Sequence, residues 1–274
     1  MIASEERSSR PSFRIMGVVN VTPDSFSDGG KFIEPAAAAD QIDRLITDGA
    51  DLIDIGAEST RPGSVRVSHE DEWRRLAPVL EAALRKLPGN RISVDTRCAE
   101  TMIRCADSGA RFINCVGEPP SDAVLTQLAR YQGMSFAAMH MHGSPQTMQN
   151  VPMADESTVA VVKTWFSETS ARLVRAGFAA QQVWVDPGIG FGKSDVGNFR
   201  LLAATADFAK IHNVMVGVSR KSMLGRLLNI PKPADRDQAS KGLEAGLVFA
   251  GARMIRTHTV GPLAKLRENL NQGN

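Results

Sequence analysis

Short apolar runs rich in β-branched residues recur eight times along this chain. They lie at residues 14–20, 51–56, 91–96, 111–116, 134–140, 182–187, 214–219 and 253–258. Because each run is apolar throughout rather than alternating, it predicts a strand that is buried on both faces. The stretches between the runs, such as AAAADQIDRLITDG and DEWRRLAPVLEAALRKL, predict helices, and several are followed by a glycine that favours a helix end.

Eight strand-and-helix units predict a closed parallel barrel, the (β/α)8 or TIM barrel. An open doubly wound sheet would show the same alternation, so the number of units is what favours the barrel. The length of 274 residues suits a barrel, since these domains often have about 250 residues. We expect a single barrel domain at residues 13–274, after a flexible tail at residues 1–12.

Composition argues against several classes of function. The formal net charge is +2 and no run of five like charges occurs, which argues against a nucleic-acid partner. No apolar run approaches the roughly 18 residues of a membrane span, and the opening MIASEERSSRPS is too polar and acidic for a signal peptide. We therefore expect a cytoplasmic protein with no membrane partner, in which Cys98, Cys105 and Cys115 are reduced.

The stretch DPGIGFGKS at residues 186–194 has glycines, a lysine and a serine in an order close to that of a phosphate-binding loop. That loop requires a glycine five positions before Gly192, where this chain has Pro187, which has no amide hydrogen to donate. The third glycine of a dinucleotide-binding loop would likewise fall on Lys193. The stretch therefore needs a different explanation.

Polar residues follow nearly every predicted strand. A single Asp or Asn at such a position often only caps the next helix or forms a turn. In a barrel, however, the carboxyl ends of the strands meet on one rim, so the repetition predicts a shared pocket there. The residues are Asn20, Asp54, Asp95, Asn114, His140, Asp186, Ser219, Arg220, Lys221, Ser222, Arg256 and His258.

His140 and the nearby His142 form a possible metal pair, and two of the strand-end carboxylates form a possible acid–base pair. His140 and His142 have a spacing that suits two metal ligands, but no third ligand is evident, and packing is the stronger interpretation. Asp95 and Asp186 could transfer protons, and they could equally accept hydrogen bonds from the amino and ring N–H groups of a heterocycle.

Basic residues cluster after the last two strands. Arg256 and His258 lie two positions apart on strand 8, near the region where barrels often bind phosphate. Lys221 and Ser222 lie where a helix is predicted to begin after strand 7, which favours an anion. Together they predict a local anion site.

Five segments of the chain resemble signature segments of the dihydropteroate synthase family. The resemblance runs in order from about residue 14 to 270. It implies a barrel enzyme of folate synthesis that joins 6-hydroxymethyl-7,8-dihydropterin pyrophosphate to p-aminobenzoate and releases pyrophosphate, with early loss of the pyrophosphate, and it implies a homodimer. The segments are GVVNVTPDSFSDGG (17–30), GADLIDIGAESTRPG (49–63), SVDT (93–96), DPGIGFGKS (186–194) and SRKSMLG (219–225).

The resemblance also implies roles for particular residues. The pterin would be bound by Asp95, Asn114, Met139, Asp186, Phe191 and Lys221. The pyrophosphate would be held by Asn20, Thr60, Arg61, Arg256 and His258, with Asn20 also a ligand of Mg²⁺. The p-aminobenzoate, and sulfonamides that mimic it, would be bound by Phe26, Thr60, Pro62, Lys221 and Ser222. The implied catalytic set is Asn20, Arg61, Asp95, Lys221, Arg256 and His258.

The chain departs from the family at two positions. The family usually has Asp after the pterin-binding asparagine, where this chain has Cys115, and Asp is common where strand 8 has Thr259. The first departure keeps open a non-catalytic or repurposed pterin-binding paralogue. Methyltetrahydrofolate-binding methyltransferases also have a pterin-binding barrel, but they do not need the set of Arg61, Arg256 and His258.

Overall fold

The fold is seen in a computed structural model that describes residues 12–21, 35–59, 64, 67–144, 147–148 and 152–272. Within these residues, eight parallel strands close into a barrel in the order β1 to β8, where β8 pairs with β1 and Arg14 lies opposite Met254. This closure confirms the predicted barrel and rules out the open sheet. The strands are β1 Arg14–Asn20, β2 Leu52–Gly56, β3 Ile92–Asp95, β4 Phe112–Val116, β5 Ser135–Met139, β6 Val183–Asp186, β7 Asn213–Val216 and β8 Met254–Thr257.

The helices follow the strands as the sequence predicts. The helix at His69–Leu84 is capped by Ser68, whose Oγ accepts a hydrogen bond from the Asp71 amide at 3.1 Å. No helix in the described part of the chain is long and apolar enough to cross a membrane. The helices are α1 Pro35–Thr47, α2 His69–Leu84, α3 Ala99–Ser108, α4 Asp122–Ala129, α5 Thr158–Arg175, α6 Asp195–Ala203, α7 Thr205–Ala209, α8 Ser222–Leu228, α9 Asp237–Phe249 and α10 Gly261–Gln272.

Apolar side chains fill both sides of the barrel wall. One cluster joins buried side chains from seven of the eight strands, and it includes Met16, Phe112 and Trp184. Larger clusters pack the strands against the helices, as at Ile15, Ile53 and Val94. Several polar residues lie at strand ends, as predicted, but Asp54 and Asn114 are the middle residues of β2 and β4, where they are buried and bonded to each other.

Candidate active site

A pocket lies at the carboxyl ends of the strands. Eight of the residues to which the sequence assigned pterin or pyrophosphate binding line it. Asn20 lies nearby at the end of β1, opposite Gly56 in the β1–β2 register, and Ser222 is exposed at the first residue of α8. Phe26, Thr60, Arg61 and Pro62 lie outside the described residues. The lining residues are Asp95, Asn114, Val116, Met139, Asp186, Ile189, Phe191, Gly217, Ser219, Lys221, Arg256 and His258.

Asp54 organises the floor of this pocket. Its carboxylate is fully buried and accepts hydrogen bonds from Ser93 Oγ at 2.5 Å, Asn114 Nδ2 at 3.0 Å and Arg256 Nε at 2.7 Å. Arg256 Nη2 also donates to Asp95 Oδ2 at 2.9 Å. The sequence placed Asp54 at a strand end but gave it no role. Its partners come from three other strands, so only the closed barrel brings them together.

Two acceptors, on β3 and β4, line the pocket. Asn114 Nδ2 is committed to Asp54, while Asn114 Oδ1 is buried and has no hydrogen-bond partner among the described residues. Burial raises the pKa of Asp95, although the Arg256 guanidinium acts in the opposite direction. An unpaired buried acceptor is costly, so a ligand that brings an N–H group to Asn114 gains from pairing it.

Asp186 ends β6 and enters the pocket above a tight turn. Its Oδ1 accepts a hydrogen bond from the Gly188 amide at 2.7 Å, and burial raises its pKa to about 6. Gly188 has φ 65°, and a Cβ there would lie 1.9 Å from the carbonyl oxygen of His140. Only glycine fits at this position, which explains the first glycine of DPGIGFGKS.

Lys193 and Ser194 of the same stretch hold the loop itself. Lys193 is buried, and its Nζ donates to the carbonyl oxygens of His140 at 3.0 Å, Gly188 at 3.0 Å and Phe191 at 2.9 Å. Burial lowers the pKa of Lys193 to about 7. Ser194 Oγ caps α6 by accepting from the amide of Gly197. The lysine and serine that suggest a phosphate loop are therefore structural, a role that sequence reasoning missed.

Lys221 approaches the pocket from the loop after β7. Its Nζ lies 4.3 Å from the centre of the Phe191 ring, within range of a cation–π contact. Burial lowers the pKa of Lys221 to about 8, while Asp186 acts to raise it. The ammonium therefore lies between an aromatic wall and a carboxylate, where it can donate to a planar ligand.

His258 lies beside Arg256 at the end of β8. Its backbone amide donates to Ser219 Oγ at 3.2 Å, and its Nδ1 lies 3.0 Å from the same hydroxyl. Burial and the nearby Arg220 and Arg256 lower the pKa of His258 to about 3. The imidazole is therefore neutral near pH 7, so it can offer a hydrogen bond to an anion but no charge.

His140 of the His140 and His142 pair packs against an aromatic side chain. The ring of His140 packs edge-on against Trp165, with 5.2 Å between the ring centres, and burial lowers its pKa to about 3. Among the described residues, no group of three or more His, Cys, Asp or Glu side chains could hold a metal ion. Packing, the stronger interpretation from sequence, is the role of His140.

Cys115 faces away from the pocket. It is buried in the apolar cluster between the barrel and its helices, with Met102 and Ala138. Its Sγ lies 3.8 Å from the carbonyl oxygen of Glu118, and burial raises the pKa of the thiol to about 12. A protonated thiol on the helix side of β4 is neither a nucleophile nor a metal ligand for the pocket.

Residues 16–258 match the family described as pterin binding enzyme. The chain is 41% identical to the dihydropteroate synthase of Escherichia coli K12 over 247 residues, which cover 90% of this chain and 86% of that protein. It is 38% identical to the dihydropteroate synthase of Neisseria meningitidis serogroup C over 252 residues, covering 90% and 88%.

Solved structures resemble the whole barrel. The dihydropteroate synthase of Yersinia pestis, solved with a sulfonamide drug, superposes with a TM-score of 0.85 at 37% identity, covering 96% of this chain and 94% of that chain. The dihydropteroate synthase of Xanthomonas albilineans with 4-aminobenzoic acid superposes with a TM-score of 0.84 at 34% identity, again covering 96% and 94%.

Proposed function

This chain belongs to the dihydropteroate synthase family of pterin binding enzymes, whose reaction joins 6-hydroxymethyl-7,8-dihydropterin pyrophosphate to p-aminobenzoate, and we propose that the pocket at its strand ends carries that reaction. It is a transferase of folate biosynthesis. The relatives named above are dihydropteroate synthases, which decides against the methyltransferase interpretation.

The pterin ring binds at the carboxylates and amide of the barrel floor. Its amino-pyrimidine edge is rich in N–H donors, which Asp95, Asp186 and the unpaired Asn114 Oδ1 accept. Lys221 donates to an acceptor on the ring, while Met139 and Phe191 pack against its faces. This unpaired acceptor beside two buried carboxylates is the observation that carries the proposal, because it matches a donor-rich heterocycle.

The pyrophosphate binds where the ends of β1 and β8 meet. Arg256 supplies positive charge, and the neutral His258 supplies a hydrogen bond. Thr60 and Arg61, outside the described residues, complete this set in our proposal. Asn20 offers one amide oxygen, which suits a hard cation whose other ligands are water and phosphate oxygens. When bound there, Mg²⁺ would neutralise charge on the pyrophosphate.

The carbon–oxygen bond to the pyrophosphate breaks before the amine attacks. Its electron pair leaves with the pyrophosphate, whose charge Arg256 stabilises. The cation left on the methylene carbon is delocalised into the pterin, where the carboxylates of Asp95 and Asp186 favour positive charge. The amino group of p-aminobenzoate then forms the new carbon–nitrogen bond and loses a proton, so no protein nucleophile is needed.

The p-aminobenzoate binds beside Lys221 and Ser222, at the entrance of the pocket. The exposed Ser222 hydroxyl and the Lys221 ammonium suit its carboxylate. Phe26, Thr60 and Pro62 make up the rest of the proposed site and lie outside the described residues. Sulfonamides compete for this position, as the drug complex of the Yersinia pestis relative suggests.

A turnover assay tests the proposal directly. Purified protein with Mg²⁺ and both substrates should form 7,8-dihydropteroate, and Lys221→Ala should reduce turnover while the exposed Lys210→Ala should not. Tight pterin binding without any turnover would instead identify a non-catalytic paralogue.

We also propose that the protein is a cytoplasmic homodimer. Apolar side chains are exposed on α6 at Val196 and Phe199 and on α8 at Leu227 and Leu228. The Arg226–Asp195 ion pair links these two helices, so the apolar residues lie on neighbouring elements. Sedimentation of a Phe199→Glu variant should show a monomer where the unmodified chain shows a dimer.

A further inference from the structure

Arg220 has an unusual backbone conformation in the loop after β7. Its φ is 60°, in the left-handed region that non-glycine residues rarely occupy. It separates Ser219, which contacts His258, from Lys221, which enters the pocket. A side chain held in this conformation must be fixed by its surroundings, and the two neighbours that it orients both serve the site.

Three residues at and just before the beginning of α9 hold Arg220 through four hydrogen bonds. Asp237 accepts a bidentate pair, with Arg220 Nε 2.7 Å from Oδ1 and Nη2 2.9 Å from Oδ2. Ser240 Oγ accepts from the Arg220 amide at 3.0 Å, and Arg236 Nη1 donates to the Arg220 carbonyl oxygen at 3.0 Å. The bidentate pair fixes the guanidinium plane as well as its position.

The same carboxylate also reaches the loop after β8. Thr259 Oγ1 donates to Asp237 Oδ2 at 3.1 Å, the oxygen that also accepts from Arg220. Asp237 thus joins the loop that carries Lys221 to the loop that begins with His258. Because Thr259 and Arg220 share one acceptor oxygen, position 259 lies next to the Arg220 guanidinium, and the family resemblance implies Asp where this chain has Thr259.

We propose that Asp237 is a positioning residue that supplies from α9 the carboxylate missing at position 259, and so holds Lys221 and His258 in the pocket. It acts through Arg220 and Thr259 and does not line the pocket. The inference rests on the proposed roles of Lys221 and His258. It assigns to the start of α9 a part in pterin and pyrophosphate binding that no sequence motif of this chain indicates.

Asp237→Ala and the double variant Asp237→Ala/Thr259→Asp test the proposal. The single variant should raise KM for the pterin pyrophosphate by about ten- to a hundredfold, since small misplacements in a site cost this much, while kcat falls less. The double variant should recover to within about threefold of the unmodified protein, because the new carboxylate can pair with Arg220. Asp235→Ala, an exposed carboxylate on the preceding turn, should leave KM and kcat unchanged.

Thermal melting of each variant measures folding in parallel. Recovery of KM on addition of Thr259→Asp is an effect that general destabilisation would not give. If Asp237→Ala does not fold, the same comparison is made with Asp237→Asn, alone and combined with Thr259→Asp. A folded single variant with unchanged KM, or a folded double variant no better than the single one, would overturn the proposal. Lys221→Ala is assayed in the same way. If its KM is unchanged, the proposed role of Lys221 is wrong, rather than the role of Asp237.

Discussion

Arg256 Nε lies 2.7 Å from Asp54 Oδ2, although 202 positions separate the two residues in the chain. Asp54 is fully buried, so its charge is stabilised only by the groups that donate to it. The same guanidinium reaches Asp95, a residue that lines the pocket. The ion pair that stabilises the barrel interior therefore also sets the position of a carboxylate in the pocket.

Replacement of Asp54 should destabilise the fold. In Asp54→Asn the amide cannot balance the Arg256 charge, and we expect a loss of about 3 kcal/mol in the free energy of unfolding, as for a broken buried ion pair. Urea unfolding measures this, with the exposed Asp48→Asn as a matched control. A loss below about 0.5 kcal/mol, typical of a surface substitution, would contradict the buried pair.

Asp95 and Asp186 should each matter for pterin affinity. Asp95→Asn or Asp186→Asn replaces an acceptor-only carboxylate with a group that presents its own donor to the N–H groups of the pterin. We expect a loss of about 2 to 4 kcal/mol in binding free energy, with folding retained. Calorimetry with a dihydropterin measures it, and unchanged affinity in both variants would remove these residues from the site.

Pterin binding should depend on pH in two directions. Burial raises the pKa of Asp186 to about 6 and lowers the pKa of Lys221 to about 8. Both pocket carboxylates must be ionised to accept, and burial also raises the pKa of Asp95 to about 7. Affinity should therefore fall as pH drops below about 7, and it should fall as pH rises above about 8, where the Lys221 ammonium loses its proton. Calorimetric titration with a dihydropterin that lacks phosphate avoids titration of the substrate. Asp186→Asn should remove the part of the acidic limb near pH 6 and leave the part due to Asp95, and an unchanged acidic limb would contradict the role of Asp186.

The sequence predicted the barrel and most of the pocket because both depend on local patterns. Strand runs and the polar residues that end them place Asp95, Asn114 and Asp186 without knowledge of distant contacts. The role of Asp54 depends on partners from β3, β4 and β8, and Lys193 is recognisable only from the three carbonyl groups around it. Such partners are set by the closed three-dimensional arrangement, which no spacing along the chain encodes.

Cys115 should affect stability more than activity. Cys115→Ser places a hydroxyl in an apolar cluster, and we expect a loss of about 1 to 2 kcal/mol in unfolding free energy with most turnover retained. Cys115→Asp should keep or improve turnover, because Arg97 acts on the same site and its Nε is buried without a partner among the described residues. Abolished turnover in folded Cys115→Ser would indicate a chemical role for the thiol.

Early departure of the pyrophosphate predicts a partial reaction. Without p-aminobenzoate, the protein should release some pyrophosphate or exchange labelled pyrophosphate into the substrate, and removal of Mg²⁺ by a chelator should stop it. Arg256→Ala should suppress both this reaction and full turnover, whereas Ser222→Ala and Phe26→Leu should chiefly raise KM for p-aminobenzoate. A direct displacement would show neither release nor exchange until the amine is added.

Because β1 pairs with β8, the barrel can close only after its last strand has been synthesised. β1 can pair with β2 early, but its other edge has no partner until Met254–Thr257 emerges, and until then both edges of the sheet remain open. Over the same interval Asp54 has no guanidinium partner, because Arg256 has not yet been synthesised. A chain released early therefore combines two unpaired edges with an uncompensated charge, and we expect it to be degraded or to aggregate rather than to persist as a partly active barrel.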